Sequence, residues 1–453
     1  MEIIIGTIGL FITCESFGHW RRGVKGCLFY LPFAGVVSLY FYPSKLPLLF
    51  KDLFFLLPAY MGFLLVRKKI FHPEILVSIL SLFFGLVIIQ LFNPNLLNLF
   101  IGLIGLKVWL FYIPLFFLAY HFIDSEERLV DLSKTLVKLA LVPCIIGIVQ
   151  AIFIYSGFED YVYAIYGKAA GPATQQFARL TIGSGFLVRI PSTFTFVAQY
   201  FNFTLCMIPL AYAISQDAKN RKFGKLALSI IIIASLLSGA RSAFLFVPFL
   251  LILIVGLHKG FHGIVSSIIV LGVIFLMVAA YLFGGIIPLW NHMGGLIIHY
   301  WNEVVVGLLA KSIDLTLFGM GTGMNTGPAR HAFTDINNLP EGYVGMENYY
   351  AKAVYELGVI GLILLLLLFY VLITKGYKIH KGIKDKKIHD FSAGFLAYLV
   401  LMVVQSVKGW PLDLDPANVY FWFFAGILMK LKIIANKDKS YSILEQDKLK
   451  ESK

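Results

Sequence analysis

The feature that most constrains this chain is a recurrence: apolar runs of about 17 to 25 residues, the length of helix needed to cross a hydrocarbon core, return from one end to the other. Inside a bilayer every backbone N–H and C=O must find its partner within the protein, so such runs fold as spanning helices. The candidate spans are Glu2 to Cys14, Gly26 to Tyr42, Leu46 to Val66, Glu74 to Phe92, Leu97 to Phe122, Thr135 to Ser156, Phe194 to Ser215, Lys225 to Ser238, Ser242 to Leu257, Gly263 to Gly284, Tyr350 to Thr374, Phe391 to Val407 and Val419 to Leu431. Hydrophobic residues make up 59% of the 453 and charged residues 14%, more apolar surface than a water-soluble fold could hide. The expected fold class is therefore an all-α polytopic membrane protein of about 12–13 transmembrane helices. Residues 1–435 form its single transmembrane domain and residues 436–453 a polar cytoplasmic tail. The first run ends in Glu15 and His19-Trp20-Arg21-Arg22 without a small-residue cleavage site, so no cleavable signal peptide is expected.

The net charge of +13 could point to nucleic acid, but the basic residues sit in short clusters between the apolar runs. Arg21-Arg22-Lys25, Arg67-Lys68-Lys69, Lys219-Arg221-Lys222-Lys225, His258-Lys259, the Lys375 to Lys387 cluster and the tail after Lys430 fall on one side when the spans are threaded alternately. The charge-mixed Asp124 to Lys138 loop joins them. The positive-inside rule makes that side cytoplasmic and explains the charge without a nucleic-acid partner. Two long loops, 157–193 and 285–348, then face outward, and connections of that length are as a rule functional or disordered. Leu296 to Ala310 has the apolar spacing of a helix lying along the membrane or packed on the bundle. Cys14, Cys27, Cys144 and Cys206 show no metal-ligand spacing and read as small buried residues.

Where hydrocarbon dictates most side chains, the polar ones that persist are functional candidates. Lys107 lies about 15 Å from the outer end of its span and needs either a carboxylate or carbonyl in the bundle or a functional anion. Arg241 stands in the abrupt outer turn Leu237-Ser238-Gly239-Ala240-Arg241-Ser242, as a headgroup anchor or a binding group. Arg189 precedes Ile190-Pro191-Ser192-Thr193 at the head of the next span. A planar guanidinium fork suits phosphate better than a lysine point charge.

The 285–348 loop collects more polar groups than any other segment: Phe318-Gly319-Met320-Gly321-Thr322-Gly323, then Arg330-His331, then Glu347-Asn348-Tyr349-Tyr350. The glycine-rich piece lacks the ending of a Walker motif and follows no predicted strand, so it reads as a tight turn that permits close packing. Glu347 can cap the helix that follows, or act as a general base whose pKa a low-dielectric boundary raises, and the two roles are compatible. Glu356, about 13.5 Å deeper along a helix, reads as a buried acid that holds helices together. His331 is a second candidate base or a solvated loop histidine.

Taken together and in this order, Arg189-Ile190-Pro191-Ser192-Thr193-Phe194, the Leu237 to Ser242 turn, Phe318 to Gly323, and Glu347-Asn348-Tyr349 leading to Glu356-Leu357-Gly358-Val359-Ile360-Gly361 resemble the bacterial O-antigen polymerase and ligase family. The likeness covers the chain from Leu97 to Leu431. It implies a GT-C-like fold and a metal-independent, inverting glycosyltransferase without a cofactor, sited in the bacterial cytoplasmic (inner) membrane. The implied substrate is a polyprenyl-diphosphate-linked oligosaccharide handled at the outer face, with membrane lipid and a chain-length regulator protein as the other partners. Arg189 and Arg241 would hold the diphosphate, with Lys107, Arg330, Asn348 and Tyr349 completing the substrate-binding set. Tyr343, Tyr349 and Tyr350 could stack on sugar rings.

Ligases of the family place a histidine before the asparagine that Asn348 matches. Glu347 stands here instead, which points to a polymerase with Glu347 or His331 as base. The segment after Phe194 has Ala198-Gln199-Tyr200 where the family often has a Pro-Asn pair, so no role is carried over to those positions. The other readings are a ligase-type transferase to lipid A or protein, and a flippase of the same lipid-linked sugar. Transporters commonly show paired repeats, and this chain has none in its sequence.

Overall fold

The computed structural model describes residues 2–41, 46–66, 70, 73–164, 179–182, 185–260, isolated positions between 262 and 295, 298–326 and 347–451. Arg330, His331, Tyr343 and most of the Gly263 to Gly284 span lie outside the described residues.

In chain order the helices are α1 (Glu2–Gly18), α2 (Trp20–Tyr40), α3 (Leu57–Val66), α4 (Glu74–Phe92), α5 (Leu99–Phe122), α6 (Glu126–Tyr155) and α7 (Glu159–Ala164). A short antiparallel hairpin follows, β1 (Arg179–Ile182) and β2 (Gly185–Val188), with Arg179 opposite Val188. Then come α8 (Val197–Gln216), α9 (Arg221–Leu237), α10 (Ala243–Lys259), α11 (Leu308–Leu315), α12 (Tyr349–Lys381), α13 (Lys386–Gln405) and α14 (Ala417–Glu451). Among the described residues eight of these are long and apolar enough to cross a membrane, and the chain is an all-α polytopic membrane protein. They are α2, α4, α5, α6, α8, α12, α13 and the Ala417–Asn436 part of α14. α1, α9 and α10 are apolar helices of 17 residues each. Several starts are set by short polar side chains that accept from the first free N–H groups: Asn98 for α5, Ser125 for α6, Asn348 for α12 and Asp385 for α13.

The centre of the bundle is α8, which packs against α6, α9 and α13 and is buried along most of its length. The Ala417–Asn436 part of α14 is equally enclosed, against α8, α13 and the second half of α5. Rings fill the space between them, with Phe395 and Phe424 stacked at 4.7 Å and Tyr398 edge-on to Phe424 at 5.5 Å.

At four places the structure adds to these expectations or departs from them. The run from Leu46 to Val66 is divided by a π-helical turn over Lys51–Leu56, which carries the charged pair Lys51-Asp52. The 157–193 loop, expected to face outward, contains the β hairpin, whose strands its short apolar content did not announce. The tail expected at 436–453 continues α14 as helical backbone to Glu451. Cys14 is exposed, although the other three cysteines are buried and all four are free.

The spanning helix α12 is also broken. Gly358 has φ 77° and ψ 178°, a combination open to glycine alone, and the turn at 317–323 fills the break. Val359 N donates to Leu317 O, Met320 N to Tyr355 O and Gly321 N to Glu356 O, so the backbone groups freed by the break are satisfied inside the protein. Glu356 is fully buried and accepts from Trp109 Nε1 (2.7 Å), Gly323 N (2.9 Å), Asn325 N (2.8 Å) and Thr326 Oγ1 (3.0 Å). It joins α5, α12 and the glycine-rich turn. Glu356→Ala would leave these donors buried without an acceptor, each costing about 1–3 kcal/mol. The expected result is a loss of several kcal/mol, read as a lower unfolding midpoint in detergent.

Charged loops that the sequence places on one side do meet in space. Lys387 pairs with Glu126 (3.1 Å), Arg21 with Asp124 (3.4 Å), and His380 at the end of α12 reaches Leu257 O near the end of α10 (3.2 Å). The heads of α8, α10 and α12 lie at the opposite ends of these helices.

Candidate functional site

At that opposite face lies a cavity of about 640 Å³, within the size range of small-molecule sites. Arg189, Arg241 and Glu347 all line it, and so do Lys408, Tyr300, Asn202, Gln405 and Trp410. Apolar side chains, among them Phe196, Phe201 and Phe246, form the remaining wall.

Local structure explains why the two arginines meet. α9 ends at Leu237, and Gly239, at φ 78°, turns the chain so tightly that a Cβ there would lie 2.0 Å from Val188 O. Ile190 N donates to Ser238 O (2.9 Å), which locks the end of β2 onto this turn. Arg189 on one strand of the chain and Arg241 on the other are thereby delivered to the same cavity. Ser192 Oγ donates to Pro143 O (2.6 Å) and Thr193 Oγ1 to Pro32 O, fixing the segment that leads from Arg189 into α8. Glu347 sits immediately before the capping residue of α12, and Lys408 follows the end of α13.

The electrostatics are one-sided. Arg189 titrates below the ordinary arginine range, first because it is partly buried and then because Arg241 is close; Glu347 and Tyr300 oppose the shift. Lys408 is lowered in the same way, by burial and then by Arg241, with Glu347 opposing. Three cations thus share a partly desolvated space with one carboxylate, and none of the three forms a salt bridge among the described residues. Lys408 Nζ instead lies 4.7 Å from the centre of the Tyr300 ring. Gln405 donates to Asn202 Oδ1 (2.8 Å), while its own Oε1 is buried without a hydrogen bond. Such an arrangement attracts an anion with several oxygens and leaves a carboxylate beside it to accept a proton.

Other expected residues are used by the fold. Lys107 pairs with Asp52 at 2.5 Å and does not line the cavity. Asp52 also accepts from Tyr112 (2.9 Å) and Lys51 (3.0 Å), and Lys51 reaches Asp415 at 2.7 Å. This buried network borders a small neighbouring pocket that shares Thr195 with the main cavity. Asn348 is 2% exposed: its Oδ1 caps α12 and its Nδ2 donates to Val304 O (3.0 Å), so the cap is Asn348 and not Glu347. Tyr349 is buried against Trp109, with ring centres 5.1 Å apart, and Tyr350 donates to Val403 O (2.7 Å).

Lys408 was missed, and its signal was a lone cation on a connection that the positive-inside rule assigns to the outer side, where topology does not call for one. Lys51 and Asp52 were missed as well, although unlike charges in the middle of an apolar run are a signal of the same kind.

One buried ion pair supports the cavity wall. Lys352 on α12 pairs with Asp413, next to the lining residues Trp410, Pro411 and Leu414. Lys352 also lies 4.6 Å from the Trp109 ring centre. Lys352→Met alone strands a buried carboxylate and is expected to cost about 3–5 kcal/mol, whereas the Lys352→Met/Asp413→Leu double variant recovers most of it. A thermal unfolding series on the three proteins checks this.

The fold and its spans define the class: a multi-pass helical membrane protein. Comparison with known proteins finds no matching family model and no matching curated protein.

Proposed function

We propose that the chain polymerises lipid-linked oligosaccharide repeat units of an O-antigen, capsule or exopolysaccharide, at the outer face of a bacterial cytoplasmic membrane. The observation that carries this reading is the convergence of Arg189, Arg241, Lys408 and Glu347 on one cavity. The acceptor sugar hydroxyl attacks C1 of the donor sugar. The C1–oxygen bond to the polyprenyl diphosphate breaks, and its electron pair leaves with the diphosphate. Arg189, Arg241 and Lys408 stabilise that developing charge, and Glu347 takes the hydroxyl proton. Inversion at C1 follows from attack opposite the leaving group.

A flippase of the same lipid is the second reading, favoured by the broken helix at Gly358, since transporters bind substrate at such breaks. Here, however, the 317–323 turn and Glu356 consume the groups that the break frees. A ligase-type transfer to lipid A or protein is less well supported, because the residue before Asn348 is an acid.

Purified protein in proteoliposomes, supplied with short lipid-linked repeat units and no nucleotide sugar, is expected to lengthen them. Movement of intact lipid across the bilayer with no new glycosidic bond would favour the flippase instead.

Lys408 adds a pH signature. Its lowered pKa means that its charge is lost as pH rises through a range in which an ordinary lysine is still protonated. Binding of the diphosphate lipid should therefore weaken on the alkaline side, and Lys408→Arg should remove that limb of the binding profile.

A further inference from the structure

A second cluster lies at the other end of the bundle. His258 is in the last turn of α10, about 25 Å along the helix axis from Arg241. His389 and Asp390 are in the first turns of α13, about 22 Å from the cavity residue Gln405. One ligand atom from each of His258, His389 and Asp390 lies within 4.8 Å of the others. We propose that these three residues form a binding site for a borderline divalent cation of the zinc type, on the face that the charge distribution assigns to the cytoplasm.

Two imidazoles and a carboxylate are a recognised donor set for such an ion, with the fourth position left to water. The ligands come from two helices that are packed together, so their spacing is held by the bundle and not by a loop. Asp390 is 2% exposed, and its Oδ1 faces His258 Nδ1 in an ion-pair contact. Apart from this contact, neither atom has a hydrogen-bond partner among the described residues. A buried carboxylate oxygen served only by an imidazole nitrogen is poorly compensated, and a shared cation would satisfy both atoms at once.

A supporting layer is present too. The His380 ring lies 4.2 Å from that of His389, its Nδ1 pairs with Ser392 Oγ (2.7 Å), and its Nε2 donates to Leu257 O (3.2 Å). Both of its nitrogens are engaged, so His380 positions His389 and does not ligate. The nearby Lys387 is drawn away by Glu126 (3.1 Å) and Asp217 (3.8 Å). The ion would staple the end of α10 to the start of α13.

The test uses untagged full-length protein in detergent, stripped with chelator and then dialysed against zinc. Elemental analysis should find about one equivalent of zinc per chain, and His258→Gln, His389→Gln or Asp390→Asn should lower the affinity about 10- to 100-fold or more. His299→Gln, on the other side of the bundle, should retain it. Zinc should also raise the unfolding midpoint of the wild type and of His299→Gln but not of the three ligand variants. Cobalt in place of zinc on the wild type should give ligand-field bands that zinc abolishes, a readout that does not depend on any variant folding. No retained zinc and no cobalt bands in the wild type, or unchanged zinc in all three ligand variants, would overturn the proposal.

Discussion

Arg241→Ala is expected to lower the rate of glycan elongation by about 10²- to 10³-fold, the usual loss when one donor to a developing anion is removed. After burial, Arg241 is the charge that lowers both Arg189 and Lys408, so it lies near both of the other cations lining the cavity. Its removal takes away a proposed diphosphate contact and at the same time relieves the repulsion on its neighbours, so the remaining cations cannot make good the lost geometry. Arg241→Lys should recover only part of the rate, because an ammonium cannot repeat the bidentate fork. Steady-state elongation of a defined lipid-linked repeat measures all three proteins. Full activity in Arg241→Ala would remove the cavity from the proposed chemistry.

Glu347→Gln is expected to be at least as damaging, about 10²- to 10⁴-fold in rate, with binding of the diphosphate lipid retained or improved. The amide keeps the size of the side chain and cannot accept the acceptor proton. It also removes the only carboxylate of the cavity lining among the described residues, which leaves the three cations less compensated and the anion better held. A split between lost turnover and preserved binding separates a base from a folding residue. That separation is clean here, since Asn348, and not Glu347, caps α12.

Much of this architecture could be read from the chain. Spans were legible because hydrocarbon leaves little choice of side chain, and the grouping of the basic loops at one end of the bundle was legible because Lys and Arg cluster by topology. Arg189 and Arg241 stood out for the same reason, being cations at span heads away from the basic loops. Lys408 obeys that logic equally, yet a single lysine in Val407-Lys408-Gly409-Trp410 has no local pattern to mark it.

Three assignments to substrate went to the fold instead. Lys107 found Asp52, Asn348 became a helix cap, and Tyr349 packed on Trp109. In each case the residue type suits either role, and only the neighbour supplied by another helix decides between them. Glu356 shows the opposite outcome: it reads from the sequence as a buried acid that holds helices together, and four donors on two other segments give it that structural place.

By itself the sequence determined the membrane class and the approximate spans, since these depend on hydropathy and charge summed along short stretches. Tertiary structure alone decided which polar groups share a space. A chain order of Arg189, Arg241, Glu347 and Lys408 carries no distances, and the cavity exists because the Gly239 turn docks against β2 while α12 and α13 bring their ends to the same place. Packing between helices far apart in sequence sets that arrangement, and no local pattern records it.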